Sequence, residues 1–119
     1  MQPDLFTERM AIVRQRFAST LEAKIGETVD ALPHLSANDN AAIEKLADTY
    51  QQIHKIVGVG PTVGFVATGQ AARNAEDILI TPFKGKRGLT AEEAAQLQTA
   101  FDALQAAARS ELQSIASKE

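Results

Sequence analysis

The 119-residue chain contains no cysteine and no tryptophan, and it has only one tyrosine. The absence of cysteine excludes disulfides and any chemistry that depends on a thiolate. Since aromatic side chains are few, a core must be packed mostly by alanine, leucine, isoleucine and valine. That composition is typical of closely spaced helices.

The chain also lacks an excess of positive charge and a long apolar run. Its formal net charge is -3, which favours neither nucleic acid nor an anionic membrane as a partner. No apolar stretch approaches the roughly 18 residues of a membrane span, and the N-terminus has no signal-peptide hydrophobic run. We therefore expect a cytoplasmic domain that binds neither nucleic acid nor membrane.

Apolar residues recur at intervals of three and four in four segments, which predicts four helices. The first begins after a cap at Asp4 and is stopped by Pro33, and the second begins at Asn38 or Asp39. The inward-facing positions of the first are Phe6, Met10, Val13, Phe17, Leu21, Ile25, Val29 and Leu32, and those of the second are Ile43, Leu46, Tyr50, Ile53 and Val57.

The second half of the chain follows the same pattern. The second helix ends between Gly58 and Gly64, where Gly64 suits a left-handed cap. A third helix, rich in small residues, runs from Phe65 to about Ile80, before a basic loop over 81–88. Thr90 and Glu93 form a capping box for the last helix. The prediction is an all-α, antiparallel up-down four-helix bundle forming one domain over 1–119, with room for an N-terminal helical extension.

One histidine stands out as a candidate reactive group. His54 falls about 100° around its helix from the inward-facing Ile53, so its ring is expected on a flank with its tip toward solvent. Ala47, Gln51 and Gly58 lie on the same stripe as His54. Gly58 costs a helix roughly 0.8–1.0 kcal/mol relative to alanine, which suggests that a bare backbone beside the ring serves the close approach of a partner.

Competing interpretations of these residues are weaker or remain open. The glycine-rich run after His54 lacks the Gly-Lys-Ser/Thr ending of a nucleotide-binding loop and follows a helix instead of a strand. His34 is expected in a polar loop, and no ligand spacing supports a zinc site shared with His54. Gln51 is either solvated or a hydrogen-bond partner of the ring or of a bound anion.

The segment from Ile53 to Gly64 resembles the motif of histidine-phosphotransfer (Hpt) domains. His54, Gly58, the small Gly60 and Gly64 fall in register with that motif, and the resemblance extends over residues 14–115. It implies a stand-alone phosphoryl carrier of a bacterial two-component phosphorelay, and not a free-standing enzyme. His54 would be the phosphoacceptor.

The chain departs from the family at one position, where Val57 replaces the usual lysine three residues after the histidine. In the family that lysine is thought to hold phosphoryl oxygens. Lys55 or the loop cations Lys84, Lys86 and Arg87 are possible substitutes. The alternative is a degenerate Hpt-like or purely structural bundle that acts as a non-catalytic interaction module.

The resemblance also implies partners and cofactors. The partner would be a response-regulator receiver domain, a hybrid histidine kinase, or both, and the chain itself is expected to be a monomer. No intrinsic cofactor or metal is expected, because Mg²⁺ would reside on the receiver. The residues expected around the phosphoryl group and its docking partner are Ala47, Gln51, Lys55, Val57, Gly58, Pro61 and Gly64.

Overall fold

The computed structural model describes residues 5–118, which form four α-helices and no strand. Helix α1 spans Leu5–Ala31, α2 spans Asn40–Val59, α3 spans Val66–Gly85 and α4 spans Ala91–Lys118. Successive helices pack against one another, and α1 also packs against α4, so the predicted all-α four-helix bundle is confirmed. No helix within these residues combines the length and apolar character needed to cross a bilayer.

Helix α1 uses only the second half of its predicted apolar stripe in the core. Leu21, Ile25 and Leu32 are buried, whereas Phe6 is 72% exposed and Val13 is 41% exposed. The reason is geometric, because Arg14 Nε donates to the Val63 carbonyl at 2.8 Å and so lies level with the turn after α2. The turns that precede Arg14 extend beyond the end of α2 as the predicted N-terminal extension, and Met10 among them packs partly buried against the core. The cap predicted at Asp4 lies outside the described residues.

Short 3₁₀ turns and side-chain caps define the helix ends. Leu32–His34 form a 3₁₀ turn after α1, so His34 lies in a turn and is exposed as predicted. Asp39 caps α2, since its carboxylate accepts from the Ala42 amide at 2.8 Å. A second 3₁₀ turn, Pro61–Val63, ends at Gly64 with φ of 96°, which confirms the left-handed cap.

Helix α3 is longer than predicted, because the expected loop from residue 81 continues the helix to Gly85 with Pro82 inside it. Proline lacks a backbone donor, so α3 loses the hydrogen bond from position 82 to the Ile78 carbonyl. The gain is aromatic packing, since Phe83 stacks on Tyr50 at 4.3 Å between ring centroids. Lys86, in the left-handed region, then ends the helix.

Side-chain hydrogen bonds cap the start of α4 and connect α4 to α3. The predicted capping box is present, with the Glu93 amide donating to Thr90 Oγ1 at 3.1 Å and the Thr90 amide donating to Glu93 Oε1 at 2.9 Å. Further along α4, Glu111 Oε1 accepts from both the amide and the hydroxyl of Thr68 at 2.6 Å. A carboxylate at the start of α3 also complements the helix dipole.

Close packing between α3 and the turn after α2 depends on one glycine. A Cβ at Gly69 would lie 2.5 Å from Cγ of Pro61, far inside van der Waals contact. The small buried side chains of Ala72 and Ala75 continue this close approach along α3. These contacts fix how α3 sits against α2, and so determine what reaches the flank of α2.

We predict that Gly69→Ala lowers the free energy of unfolding by about 1–3 kcal/mol, because the rigid Pro61 ring cannot yield without moving the turn. Gly26→Ala is the matched control, since a Cβ there meets nothing within 4 Å. That control should gain up to about 1 kcal/mol from helix propensity. Urea unfolding measures both, and equal effects of the two substitutions would contradict the close contact.

Candidate functional site around His54

His54 lies on the flank of α2, and its side chain is 66% exposed. The neighbouring Ile53 and Ile56 are buried in the core and hold this part of the helix in place. The predicted position, with the backbone anchored and the ring in solvent, is therefore the position in the structure. A large partner can reach the ring without displacing any core residue.

One ring nitrogen of His54 is already engaged. Nδ1 forms a hydrogen bond with Oε2 of Glu76, a residue of α3 whose side chain is only 15% exposed. A carboxylate accepts hydrogen bonds, so a neutral ring in this contact carries its proton on Nδ1. The lone pair is then on Nε2, which is the nitrogen left available to an incoming electrophile.

An aromatic stack supports the ring from one side. Tyr50, one helical turn before His54, lies nearly parallel to the imidazole with ring centroids 5.9 Å apart. Tyr50 in turn stacks on Phe83 of α3. The half-buried tyrosine therefore links the histidine to the core and restricts the orientation of its ring.

The residues predicted to surround His54 are mostly exposed on the same helix. Gln51, Lys55 and Gly58 are exposed and Ala47 is half-buried, while Pro61 and Gly64 are exposed in the turn that follows. A Cβ at Gly58 would meet nothing within 4 Å, so the fold itself does not require glycine there. Gly64 is explained by its backbone conformation.

Val57 packs partly buried against the core, so the position of the usual lysine holds an apolar contact. Arg87 cannot serve in its place, because its guanidinium forms two hydrogen bonds with the Glu93 carboxylate at 2.7 and 3.0 Å. That pairing lowers the pKa of Glu93 to about 2. Lys84 lies in the last turn of α3 and Lys86 at its cap, both beyond Phe83.

The two histidines are not brought together. His34 precedes α2, and His54 lies fourteen residues along from the first residue of that helix, a rise of about 20 Å. No group of three or more histidine, aspartate and glutamate side chains suited to a metal ion occurs among the described residues. The arrangement at His54 is an exposed imidazole on a helix, held by one carboxylate.

A sequence model of the Hpt domain matches residues 12–107, which is most of the chain. The chain belongs to the Hpt domain family. No curated protein and no solved structure shows a significant match to it. His54 and the three glycines that follow it, which the sequence analysis placed in register with the family's motif, lie within the matched residues.

Glu76 is the residue of this site that sequence analysis missed. It is separated from His54 by twenty-two residues, and only the register of α3 against α2 brings the two side chains together. A glutamate on a helix surface gives no sequence signal of such a contact. The signal that existed was indirect, namely its place within residues 14–115, over which the sequence resembles an Hpt domain.

We predict that the His54 ring is in its Nδ1–H tautomer at about pH 9, where an ordinary imidazole is neutral. In Glu76→Ala the ring should relax to a mixture of tautomers, because the acceptor that favours the Nδ1 proton is lost. Long-range ¹H–¹⁵N NMR spectra of the imidazole nitrogens measure this, with exposed His34 as an internal control. A parent ring protonated mainly on Nε2 would contradict the assignment.

Proposed function

We propose that this Hpt domain carries a phosphoryl group on Nε2 of His54, exchanging it with the aspartate of a receiver domain in a two-component phosphorelay. The observation that carries the proposal is the exposed imidazole whose Nδ1 is bonded to Glu76. This pairing leaves Nε2 as the nucleophile and directs it to solvent. A hybrid histidine kinase and a response regulator are the proteins that would present such receivers.

In the transfer step this chain supplies the nucleophile. The Nε2 lone pair attacks phosphorus in line with the aspartyl oxygen, a P–O bond breaks as an N–P bond forms, and the partner's aspartate leaves as a carboxylate. The proton stays on Nδ1, so the ring becomes a phosphorylated imidazolium. Glu76 faces that positive charge, and it favours the phosphorylated state by a charge-assisted hydrogen bond.

The partner supplies the remaining chemistry in this proposal. The receiver would contribute Mg²⁺, and this chain would contribute no cofactor of its own. The receiver would dock over the exposed surface around His54, which is defined by Ala47, Gln51, Lys55, Gly58 and Pro61, with Gly64 at its edge. We propose that the whole chain, 1–119, acts as one such module and as a monomer.

A second candidate function is favoured by Val57. An apolar, half-buried side chain at the lysine position removes a cation that the family uses, which favours a binding module that no longer transfers phosphate. A structural bundle that buries the His54 face in a dimer is a third hypothesis. The open ring and its Glu76 contact support the carrier over both alternatives.

We predict that incubation with a receiver domain phosphorylated by acetyl phosphate labels the parent chain at His54, and that His54→Gln is not labelled. The phosphate should be acid-labile and base-stable, as expected for phosphohistidine. Receivers from the same organism form the panel, with ³²P transfer and mass spectrometry as the measurements. His34→Gln is the matched control and should be labelled normally.

Two results would contradict the carrier function. Equal labelling of His54→Gln and the parent would place the phosphate elsewhere. Binding to a receiver without labelling, and with no effect of His54→Gln, would select the non-catalytic module. A stable dimer with a buried His54 face would select the structural bundle.

We predict that Gly58→Ala stabilises the chain by up to about 1 kcal/mol and yet slows transfer from a receiver severalfold. The methyl group improves helix propensity, but it occupies space one turn from the nucleophile where the partner must approach. Gly26→Ala is the control, since it has the same propensity gain on the side of α1 that lies against α4. Faster or unchanged transfer in Gly58→Ala would show that the bare backbone has no docking role.

A further inference from the structure

We propose that Arg73 of α3 binds the oxygens of the transferred phosphoryl group, in the role that a lysine at position 57 would otherwise have. The inference rests on the proposed function of His54. A phosphoryl group on Nε2 carries negative charge on its oxygens, which the Glu76 carboxylate at Nδ1 does not offset, so a cation near those oxygens is needed to stabilise them. Val57 leaves that requirement unmet on α2.

The register of α3 against α2 places Arg73 level with position 57, where the family usually has a lysine. The contacts of His54 with Glu76 and of Pro61 with Gly69 pair positions on α2 and its following turn with positions on α3. The pairing is antiparallel, with residue numbers rising on one side as they fall on the other. Position 73 on α3 therefore lies level with position 57 on α2.

Arg73 also lies on the appropriate side of α3. It precedes Glu76 by three residues, which makes the two side chains neighbours on the helix surface. Ala72 and Ala75 are fully buried, while Arg73 is exposed. Arg73 therefore lies on the solvent side of the edge that Glu76 presents to α2, the same side on which the His54 ring is open.

The guanidinium of Arg73 is available for a ligand. Among the described residues it has no hydrogen-bond or ion-pair partner, unlike Arg87, which is held by Glu93. Lys84 lies eight residues beyond Glu76, about 12 Å along the helix and away from the Gly58 side of the ring. Lys55 lies about 100° around α2 from His54. Arg73 is the cation that the register brings closest to the expected phosphoryl position.

An arginine suits this role chemically. Its planar guanidinium can donate two parallel hydrogen bonds to two phosphoryl oxygens, whereas a lysine acts as a point charge. The long side chain can reach across the groove between α3 and α2 without any change in the backbone. It keeps all of its protons throughout, so the bonds made and broken are still the N–P and P–O bonds of the transfer.

The test compares Arg73→Gln with Arg109→Gln, which changes an exposed arginine on α4. Two donors are used, a phosphorylated receiver and the small molecule phosphoramidate, which requires no docking. Arg73→Gln should slow labelling of His54 by both donors about ten- to hundredfold, whereas Arg109→Gln should behave as the parent. Val57→Lys should restore much of the loss in Arg73→Gln and add little to the parent.

The outcomes separate this inference from the proposed function. If His54 is labelled normally in Arg73→Gln, the phosphoryl-binding role is wrong and the carrier function stands. If only the receiver reaction slows, Arg73 is a docking residue, and the inference is also wrong. If neither donor labels the parent, the carrier function itself fails. Thermal unfolding of each variant confirms that the exposed substitutions leave the fold intact.

Discussion

The hydrogen bond between His54 and Glu76 is the contact on which the chemistry of this protein depends. It joins two helices and fixes which ring nitrogen holds the proton. Without it, only the Tyr50 stack would orient the imidazole, and the ring would exchange between its two tautomers. With it, an exposed group gains a defined orientation while its reactive nitrogen stays open to solvent.

This contact is possible because α3 lies close to α2. Gly69 allows the chain to pass directly over the Pro61 ring, and the buried alanines that follow keep the helix axes near one another. At the other end of the interface, Phe83 stacks on Tyr50. Glu76 lies between these two contacts, so small-residue packing and aromatic packing together set its position relative to the histidine.

Much of the fold could be predicted from the sequence, because the signals involved are local. The caps at Asp39 and Thr90, the left-handed Gly64 and the flank position of His54 each depend on residues within a few positions of one another. The buried row of α4 is equally local, since Leu97, Phe101, Leu104 and Ala108 recur at intervals of three and four, with Ala94, Leu112 and Ile115 packed at its edges.

The errors have a common cause, since each depends on which helix lies opposite. Phe6 and Val13 continue an apolar stripe, but α2 ends before it can cover them. Pro82 resembles a helix terminator, yet tertiary packing of the residue after it continues α3 to Gly85. The hydrogen bond between His54 and Glu76 depends on the register of α3 against α2. The position of Arg73 level with residue 57 depends on the same register. No periodicity within one segment contains that information.

The attachment of Glu111 to Thr68 has a consequence for the opposite side of the molecule. Glu111 holds the first turn of α3 from α4, so the axial position of α3 is set partly from behind. If α3 moved along its axis by one residue, Glu76 and Arg73 would shift by about 1.5 Å relative to the His54 ring. Helix α4 contributes no residue to the site described around His54. Its Glu111 nevertheless helps to hold Glu76 and Arg73 at the level of the His54 ring, so the phosphoryl chemistry also constrains the sequence of α4.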